Sequence, residues 1–145
     1  MSLITALCTA VIAGGPITLL SAPTVTLRWT HTVEGSAWEE DYVAEAGALR
    51  LVEARISRIG AGMEPPAGAR RVGNIWHYVP DLPLLPRVDL ANSAHGGGYD
   101  LCWGGECVAL KAIAPGNQPV ALVAHPCDLA QAYPAAPDGY GWAQR

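Results

Sequence analysis

Phenylalanine is absent from this sequence of 145 residues, and charged side chains make up only 15% of it. The formal net charge of −4 argues against a protein that binds nucleic acid, because neutralising phosphates requires clustered lysine and arginine. The densest basic pair, Arg70-Arg71, is too small for such a patch. Five tryptophans and five tyrosines supply the large side chains for one hydrophobic core.

Catalytic motifs are also missing from the sequence. It contains neither the G-x-S-x-G of serine hydrolases nor the H-E-x-x-H of zinc proteases. His125 and Cys127 are two residues apart, but Pro126 between them interrupts regular strand pairing, and no third group is evident to orient the histidine. We therefore expect a protein that is not an enzyme and that carries no cofactor.

The N-terminal segment lacks charge altogether, from Ser2 to Leu27. Its apolar run Leu3–Ala13 has the length of a signal-peptide core, about 7–15 residues, and is shorter than the roughly 20 residues of a membrane span. Residues 1–23 are therefore predicted to be a signal peptide or a membrane anchor, with membrane contact only through residues 3–22 if it is uncleaved. No lysine or arginine precedes the run, however, and no good small-x-small cleavage site follows it, so a buried helix or strand of a cytoplasmic protein is the alternative.

Beyond residue 23, apolar and polar residues alternate with a period of two, which is typical of strands with one buried face. Short runs at about ten-residue spacing predict an all-β fold, an antiparallel sandwich or barrel-like domain of about eight strands over residues 24–127. Residues 128–145, rich in proline, alanine and glycine, are expected to form a flexible C-terminal tail. The runs are Thr24–Val33, Ala37–Glu45, Ala48–Ile56, Ile75–Val79, Arg87–Ala91, Tyr99–Trp103, Glu106–Leu110 and Val120–His125.

Three cysteines, Cys102, Cys107 and Cys127, lie in the last third of the chain. Gly104-Gly105 suits a two-residue type I′ hairpin turn, which would place Cys102 directly opposite Cys107, within disulfide reach. Cys127 could instead pair with either of them, and with Cys8 set aside one thiol is left over in both cases. Buried free thiols, or a metal site in which His125 joins the cysteines, are the remaining alternatives, although the spacing matches no common zinc pattern.

A second group of polar residues surrounds the first predicted hairpin and the Gly-Pro loop after it. Glu40 and Asp41 are expected to face solvent, as charged residues inside strands normally do. Glu64 is held between Met63 and Pro65, as a rigid acidic loop tip would be. The candidates for binding a ligand or a partner are His31, Glu34, Trp38, Glu39 and Glu64.

The order of several short motifs resembles a bacterial family of small proteins, domain-of-unknown-function family 1850. The resemblance covers roughly residues 30–127, and the ordered set is more specific than any one motif. It implies a companion of TRAP-type tripartite transporters of the TAXI subclass, whose solute receptors work outside the cytoplasmic membrane, and a chain that begins with a leader. The motifs are His31-Thr-Val-Glu34, Trp38-Glu-Glu-Asp-Tyr42, Gly60-Ala-Gly-Met-Glu-Pro-Pro66, Tyr99-Asp-Leu-Cys-Trp103 with Cys107, and Pro126-Cys127.

Two functions from different classes follow from these patterns. The first is an exported, non-enzymatic accessory or binding module, in the periplasm or on the outer face of the cytoplasmic membrane. Its partner would be the membrane subunit of a TRAP-type transporter or the solute receptor. The alternative is a periplasmic protein that binds a small ligand or a divalent metal ion through His31, Glu34, Glu39 and Glu64, since carboxylate and imidazole ligands suit such cations.

Overall fold

The alternating runs pair into two β-sheets in the computed structural model, which describes residues 6–30, 36–57, 65–92, 98–127 and 132–133. Each of the eight predicted runs contains a strand, and the helix α1 (Leu110–Ile113) is a single turn. The all-β prediction is therefore confirmed. Within the described residues the strands are β1 (Leu7–Ala13), β2 (Ile17–Leu20), β3 (Thr24–Thr30), β4 (Ala37–Glu45), β5 (Ala48–Ile56), β6 (Arg70–Val72), β7 (Ile75–Tyr78), β8 (Val88–Leu90), β9 (Asp100–Trp103), β10 (Glu106–Ala109), β11 (Val120–Pro126) and β12 (Ala132–Tyr133).

The first sheet has the strand order β12-β2-β1-β11-β8, with β1 at its centre. β1 pairs antiparallel with β2 on one side and with β11 on the other, from Leu7 opposite Pro126 to Ala13 opposite Val120. β12 pairs parallel with β2 and belongs to the segment predicted as a flexible tail, of which residues 128–131 and 134–145 lie outside the described residues. The two ends of the chain thus contribute to the same sheet.

Two strands of this sheet come from the segment predicted as a leader. Ala10 and Val11 in β1 and Leu20 in β2 are almost completely buried. An uncharged run of small and apolar residues suits a strand covered on both faces as well as it suits a signal-peptide core, so composition alone does not separate the two. In this structure residues 7–13 and 17–20 form strands with buried side chains, which is the alternative to a leader that the sequence left open. None of the helices in the described part of the chain has the length and apolarity to cross a membrane.

The second sheet has the order β10-β9-β3-β4-β5-β7-β6 and is antiparallel throughout. Its longest strands, β4 and β5, change register at a β-bulge: Asp41 lies opposite Glu53, whereas Tyr42 lies opposite Leu51, which leaves Val52 without a partner residue. Because of this extra residue, the inward-facing positions of β5 are odd-numbered before the bulge and even-numbered after it. The same face of the sheet therefore stays buried along the whole strand. The core residues of β5 are Leu49, Leu51, Ala54 and Ile56.

The two sheets pack face to face around one core. β1 and β11 of the first sheet contact β4 of the second, and Val11, Leu20 and Leu122 meet Leu27 and Leu101 in a single cluster of buried side chains. Tyr42 and Trp103 are the large aromatic members of that cluster. The inward face of the second sheet is therefore the apolar one, and its outward face carries the charged residues described below.

A disulfide joins Cys8 to Cys127, 119 residues apart in the chain, with their Cα atoms 5.1 Å apart. It links the start of β1 to the residue after β11, where the backbone N–H of Cys127 also donates to the carbonyl of Ala6. The sequence interpretation that set Cys8 aside and left one thiol over was therefore wrong, because Cys8 was assigned to a leader and not to the sheet.

The second disulfide joins Cys102 to Cys107 across the hairpin of β9 and β10. Gly104 and Gly105 have φ values of 64° and 85°, as a type I′ turn requires, and Trp103 lies opposite Glu106. The predicted hairpin geometry is confirmed, and the Cα atoms of the two cysteines are 4.0 Å apart. All four cysteines of the chain are thus in disulfides.

Candidate functional site

The predicted ligand-binding residues divide between described and undescribed parts of the chain. His31, Glu34 and Glu64 lie outside the described residues. Trp38 and Glu39 are consecutive in β4, and consecutive side chains of a strand point to opposite faces. The structure therefore does not bring these two together: Trp38 lies on the inward face of the second sheet and Glu39 on the outward face.

On the outward face, Glu39 belongs to an ion-pair network around Arg55. The guanidinium of Arg55 donates to Glu39 Oε1 at 2.9 Å, to both oxygens of Asp41 at 2.7 Å, and to Glu53 Oε1 at 2.8 Å. The Thr26 hydroxyl donates to Asp41 Oδ1, also at 2.7 Å. One guanidinium thus holds three carboxylates in fixed positions.

The ion pairs of this network stabilise the charged forms of Asp41, Glu53 and Arg55. The hydrogen bonds from Arg55 lower the pKa of Asp41 and of Glu53 below their ordinary values, and Asp41 in turn raises the pKa of Arg55. The Glu39 carboxylate is thus already paired with a cation of the same chain, Arg55. Among the described residues, no group of three histidine, cysteine or acidic side chains is placed to hold a metal ion.

On the inward face, Glu40 lies among apolar neighbours. Its Cα partners are Leu27 on β3 and Ala54 on β5, which are 2% and 1% exposed. Directly opposed residues of an antiparallel pair share a face, so the Glu40 side chain is on the core side of the sheet. The expectation that Glu40 and Asp41 both face solvent is therefore wrong for Glu40, and Asp41 lies on the outward face.

The hydrogen-bond partner of Glu40 is the hydroxyl of Tyr42, which donates to Oε1 at 2.8 Å. Burial raises the pKa of the Glu40 carboxyl above its ordinary value, and the Tyr42 hydrogen bond opposes that shift. Burial and the charge of Glu40 together raise the pKa of Tyr42, Tyr78 and Tyr99. Three neutral tyrosines therefore lie in the electrostatic field of one carboxylate.

Two tryptophans extend this arrangement towards the end of the β3–β4 hairpin. Trp29 and Trp38 are direct partners across the two strands, and their rings stack with centroids 5.9 Å apart and an interplanar angle of 24°. Tyr99 meets Trp29 edge to face at 5.5 Å. We call the following set the acid–aromatic cluster: Trp29, Trp38, Glu40, Tyr42, Tyr78 and Tyr99.

The sequence analysis named Trp38 of this cluster as a candidate for binding a ligand or a partner, but it did not name Glu40. The signal was available, because Glu40 has the same parity as Trp38 and Tyr42 in a segment with period-two alternation. A strand whose tryptophan and tyrosine face the core must place the residue between them on the core side as well. The charge of Glu40 masked this pattern.

Among the grooves lined by described residues, two lie close to carboxylates other than Glu40, and Tyr42 of the cluster lines the first of them. One, of about 470 Å³, is lined by Thr26, Asp41 and the glycines of the β9–β10 turn. The other, of about 690 Å³, is mostly apolar and lies beside the Cys8–Cys127 disulfide, with Glu45 on its edge. The carboxylates that line the two grooves are paired with Arg55 and Arg50 respectively, which distinguishes them from Glu40.

One family model matches the chain: the family described as "Domain of unknown function (DUF1850)" matches residues 25–110. The match includes the second sheet except for Thr24 at the start of β3, the entire acid–aromatic cluster, and β8 of the first sheet, whereas β1, β2, β11 and β12 lie outside it. No curated protein and no solved structure matches the chain.

Proposed function

This chain belongs to the family described as Domain of unknown function (DUF1850), and on that premise we propose that it is a non-enzymatic binding module that serves a TRAP-type transporter of the TAXI subclass outside the cytoplasm. The observation that carries the proposal is the coincidence of the family match with the sheet that holds the acid–aromatic cluster. The matched segment contains a partly buried acid among aromatic rings, and aromatic surroundings with a few polar groups are typical of binding sites.

The proposed location is the periplasm or the outer face of the cytoplasmic membrane. Its support is that all four cysteines form disulfides, which persist in oxidising compartments and are rare in the cytoplasm. The Cys8–Cys127 bond fastens β1 to the end of β11, so the proposal keeps residues 7–20 as part of the folded module.

The proposed partner is the membrane subunit of the transporter or its solute receptor. Its support is the resemblance in the order of motifs, of which Trp38 to Tyr42 is the part that lies in β4 within the acid–aromatic cluster. We propose that the partner binds at the part of the second sheet that carries the acid–aromatic cluster.

Affinity capture from membranes of the native host tests this proposal. Tagged wild-type protein is expected to recover a transporter subunit or its receptor, and the Trp38→Ala variant is expected to recover less of it. Val72→Ala, a change on the exposed edge strand β6, is the matched control and is expected to behave like the wild type. Recovery of no transporter component by the wild type would contradict the proposed partner.

The second candidate function is binding of a small ligand or a divalent metal ion. The observation that favours a small ligand is the Glu40 carboxylate on the apolar face. For a metal ion, Glu39 would first have to leave Arg55, which holds it at 2.9 Å. Metal analysis of the purified protein, with thermal shifts on adding divalent cations, tests the metal version; no bound metal and no shift would eliminate it.

A further inference from the structure

Glu40 differs from the other paired carboxylates of the described residues in having no cation beside it. Its one hydrogen-bond partner is the Tyr42 hydroxyl. The basic side chains of the described region are engaged elsewhere: Arg28 with Asp100, Arg50 with Glu45, Arg55 with Glu39, Asp41 and Glu53, Arg70 with Glu53, Arg87 with Asp89, Arg71 with the carbonyl of Gly73, and Lys111 with backbone carbonyls.

A partly buried carboxylate without a cation is unfavourable on its own. Removing a charge from water costs free energy unless the charge is paired and hydrogen-bonded. Tyr42 donates to Oε1 alone, so the hydrogen-bonding capacity of the carboxylate is only partly used. The rest of the cost could be removed by a cation that comes from outside the chain.

The aromatic residues around Glu40 favour the same kind of ligand. The faces of tryptophan and tyrosine rings attract cations, and tryptophan does so most strongly. Trp29 and Trp38 stack beside Glu40 on the same sheet face, and Tyr99 packs against Trp29. The tyrosine hydroxyls of the cluster are neutral, and their oxygens can accept hydrogen bonds from an ammonium group.

The chemistry of the cluster distinguishes between classes of cation. Calcium takes six to eight oxygen ligands and magnesium about six, but the cluster contains one carboxylate. A cation with an apolar arm can bury that arm against the rings while its charged end meets the carboxylate. Alkylammonium ions have this form, because their ammonium group is a compact charge that donates hydrogen bonds and lies at the end of a hydrocarbon chain.

We propose that the acid–aromatic cluster binds a small organic cation with an alkylammonium group, paired with the Glu40 carboxylate and packed against Trp29 and Trp38. This inference deepens the proposed binding module and rests on it. It assigns Glu40 as the residue that selects for charge and the tryptophans as the residues that select for an apolar arm.

The direct test is a titration of the full chain with n-butylammonium chloride, followed by tryptophan fluorescence and by calorimetry. Saturable binding is expected, with n-butanol at least about tenfold weaker, because the alcohol lacks the charge-assisted hydrogen bond to Glu40. Sodium butyrate, whose charge is repelled by Glu40, is expected not to bind. Equal affinity for butylammonium and butanol would overturn the proposal.

Glu40→Gln keeps the size of the side chain and an acceptor for the Tyr42 hydroxyl, so it is expected to fold and to weaken butylammonium binding at least about tenfold. Glu106→Gln, at an exposed position next to the β9–β10 turn, is the matched control and should bind as the wild type does. Trp38→Leu should weaken butylammonium binding through loss of the ring face. Unchanged binding by folded Glu40→Gln would overturn the proposal, and failure here would leave the membrane-capture result standing separately.

Discussion

Glu39 and Glu40 are consecutive in β4, and their carboxylates meet opposite environments. Glu39 accepts a hydrogen bond from Arg55 at 2.9 Å on the charged face of the sheet. Glu40 accepts one from Tyr42 at 2.8 Å on the face that packs against the core. The alternation of a strand thus places a carboxylate paired with a cation and a carboxylate paired with a neutral hydroxyl on opposite faces of the sheet.

Glu40→Gln is expected to change the pH dependence of stability. The pKa of Glu40 in the folded protein is raised above its ordinary value of 4.5, so the folded state binds this proton more tightly than the unfolded chain does. The wild type should therefore lose stability relative to the variant as pH rises from 4.5 through the raised value. Urea unfolding of both proteins across that range measures the difference, and a pH-independent difference would contradict the expectation.

Arg55→Met is expected to destabilise the fold by about 2 kcal/mol at neutral pH. That figure is below the 3–5 kcal/mol of a fully buried pair, because the network is partly exposed. Without the guanidinium, the carboxylates of Glu39, Asp41 and Glu53 repel one another across the strands. The loss should shrink in about 1 M salt, which screens that repulsion. Chemical denaturation at two salt concentrations measures both effects.

The same variant should also alter the response to acid. The lowered pKa of Asp41 contributes stability that is present above its ordinary value of 3.8 and is lost as pH falls through the lowered value. Arg55→Met should be less sensitive to acid in that window. Arg50→Met removes an exposed ion pair with Glu45 and is the control; a loss of stability as large as that of Arg55→Met would refute the assignment.

The two disulfides are expected to contribute unequally to stability. In the chain-entropy model, a bond that closes a loop of over a hundred residues stabilises by about 5 kcal/mol, and one that closes a short hairpin by about 2 kcal/mol. The double variant Cys8→Ala/Cys127→Ala should therefore unfold at lower denaturant concentration than Cys102→Ala/Cys107→Ala. The opposite order would show that the link between β1 and β11 is dispensable.

Protein recovered from the native host is expected to retain residues 7–20. Removal of β1 would expose the edges of β2 and β11 and leave Cys127 without its partner. Intact mass with thiol alkylation should show no labelled cysteine before reduction and four after it. A mass that corresponds to a chain cut after Ala13 or Ala22 would contradict this prediction.

Much of the second sheet could be predicted from the sequence because the patterns that indicate its strands and turns lie within short segments of the chain. Alternation identified the strand segments, Gly104-Gly105 identified the turn, and the turn set Cys102 opposite Cys107. The short strand β6 at Arg70–Val72 is not among the predicted runs, since its three residues are all exposed and carry no alternation. Within the acid–aromatic cluster, the sequence analysis named Trp38 as a candidate and passed over Glu40 because of its charge, although Glu40 has the same parity as Trp38 and Tyr42.

The sequence by itself determined which residues share a face: Trp38, Glu40 and Tyr42 must lie together, because a strand alternates with a period of two. Only the tertiary structure decided that this face is the buried one, since that depends on where the first sheet packs. It also decided that β1 lies beside β11 and that Cys8 meets Cys127, across 119 residues. Local propensity contains no information about such distant partners, because their pairing depends on the burial of both sheets at once.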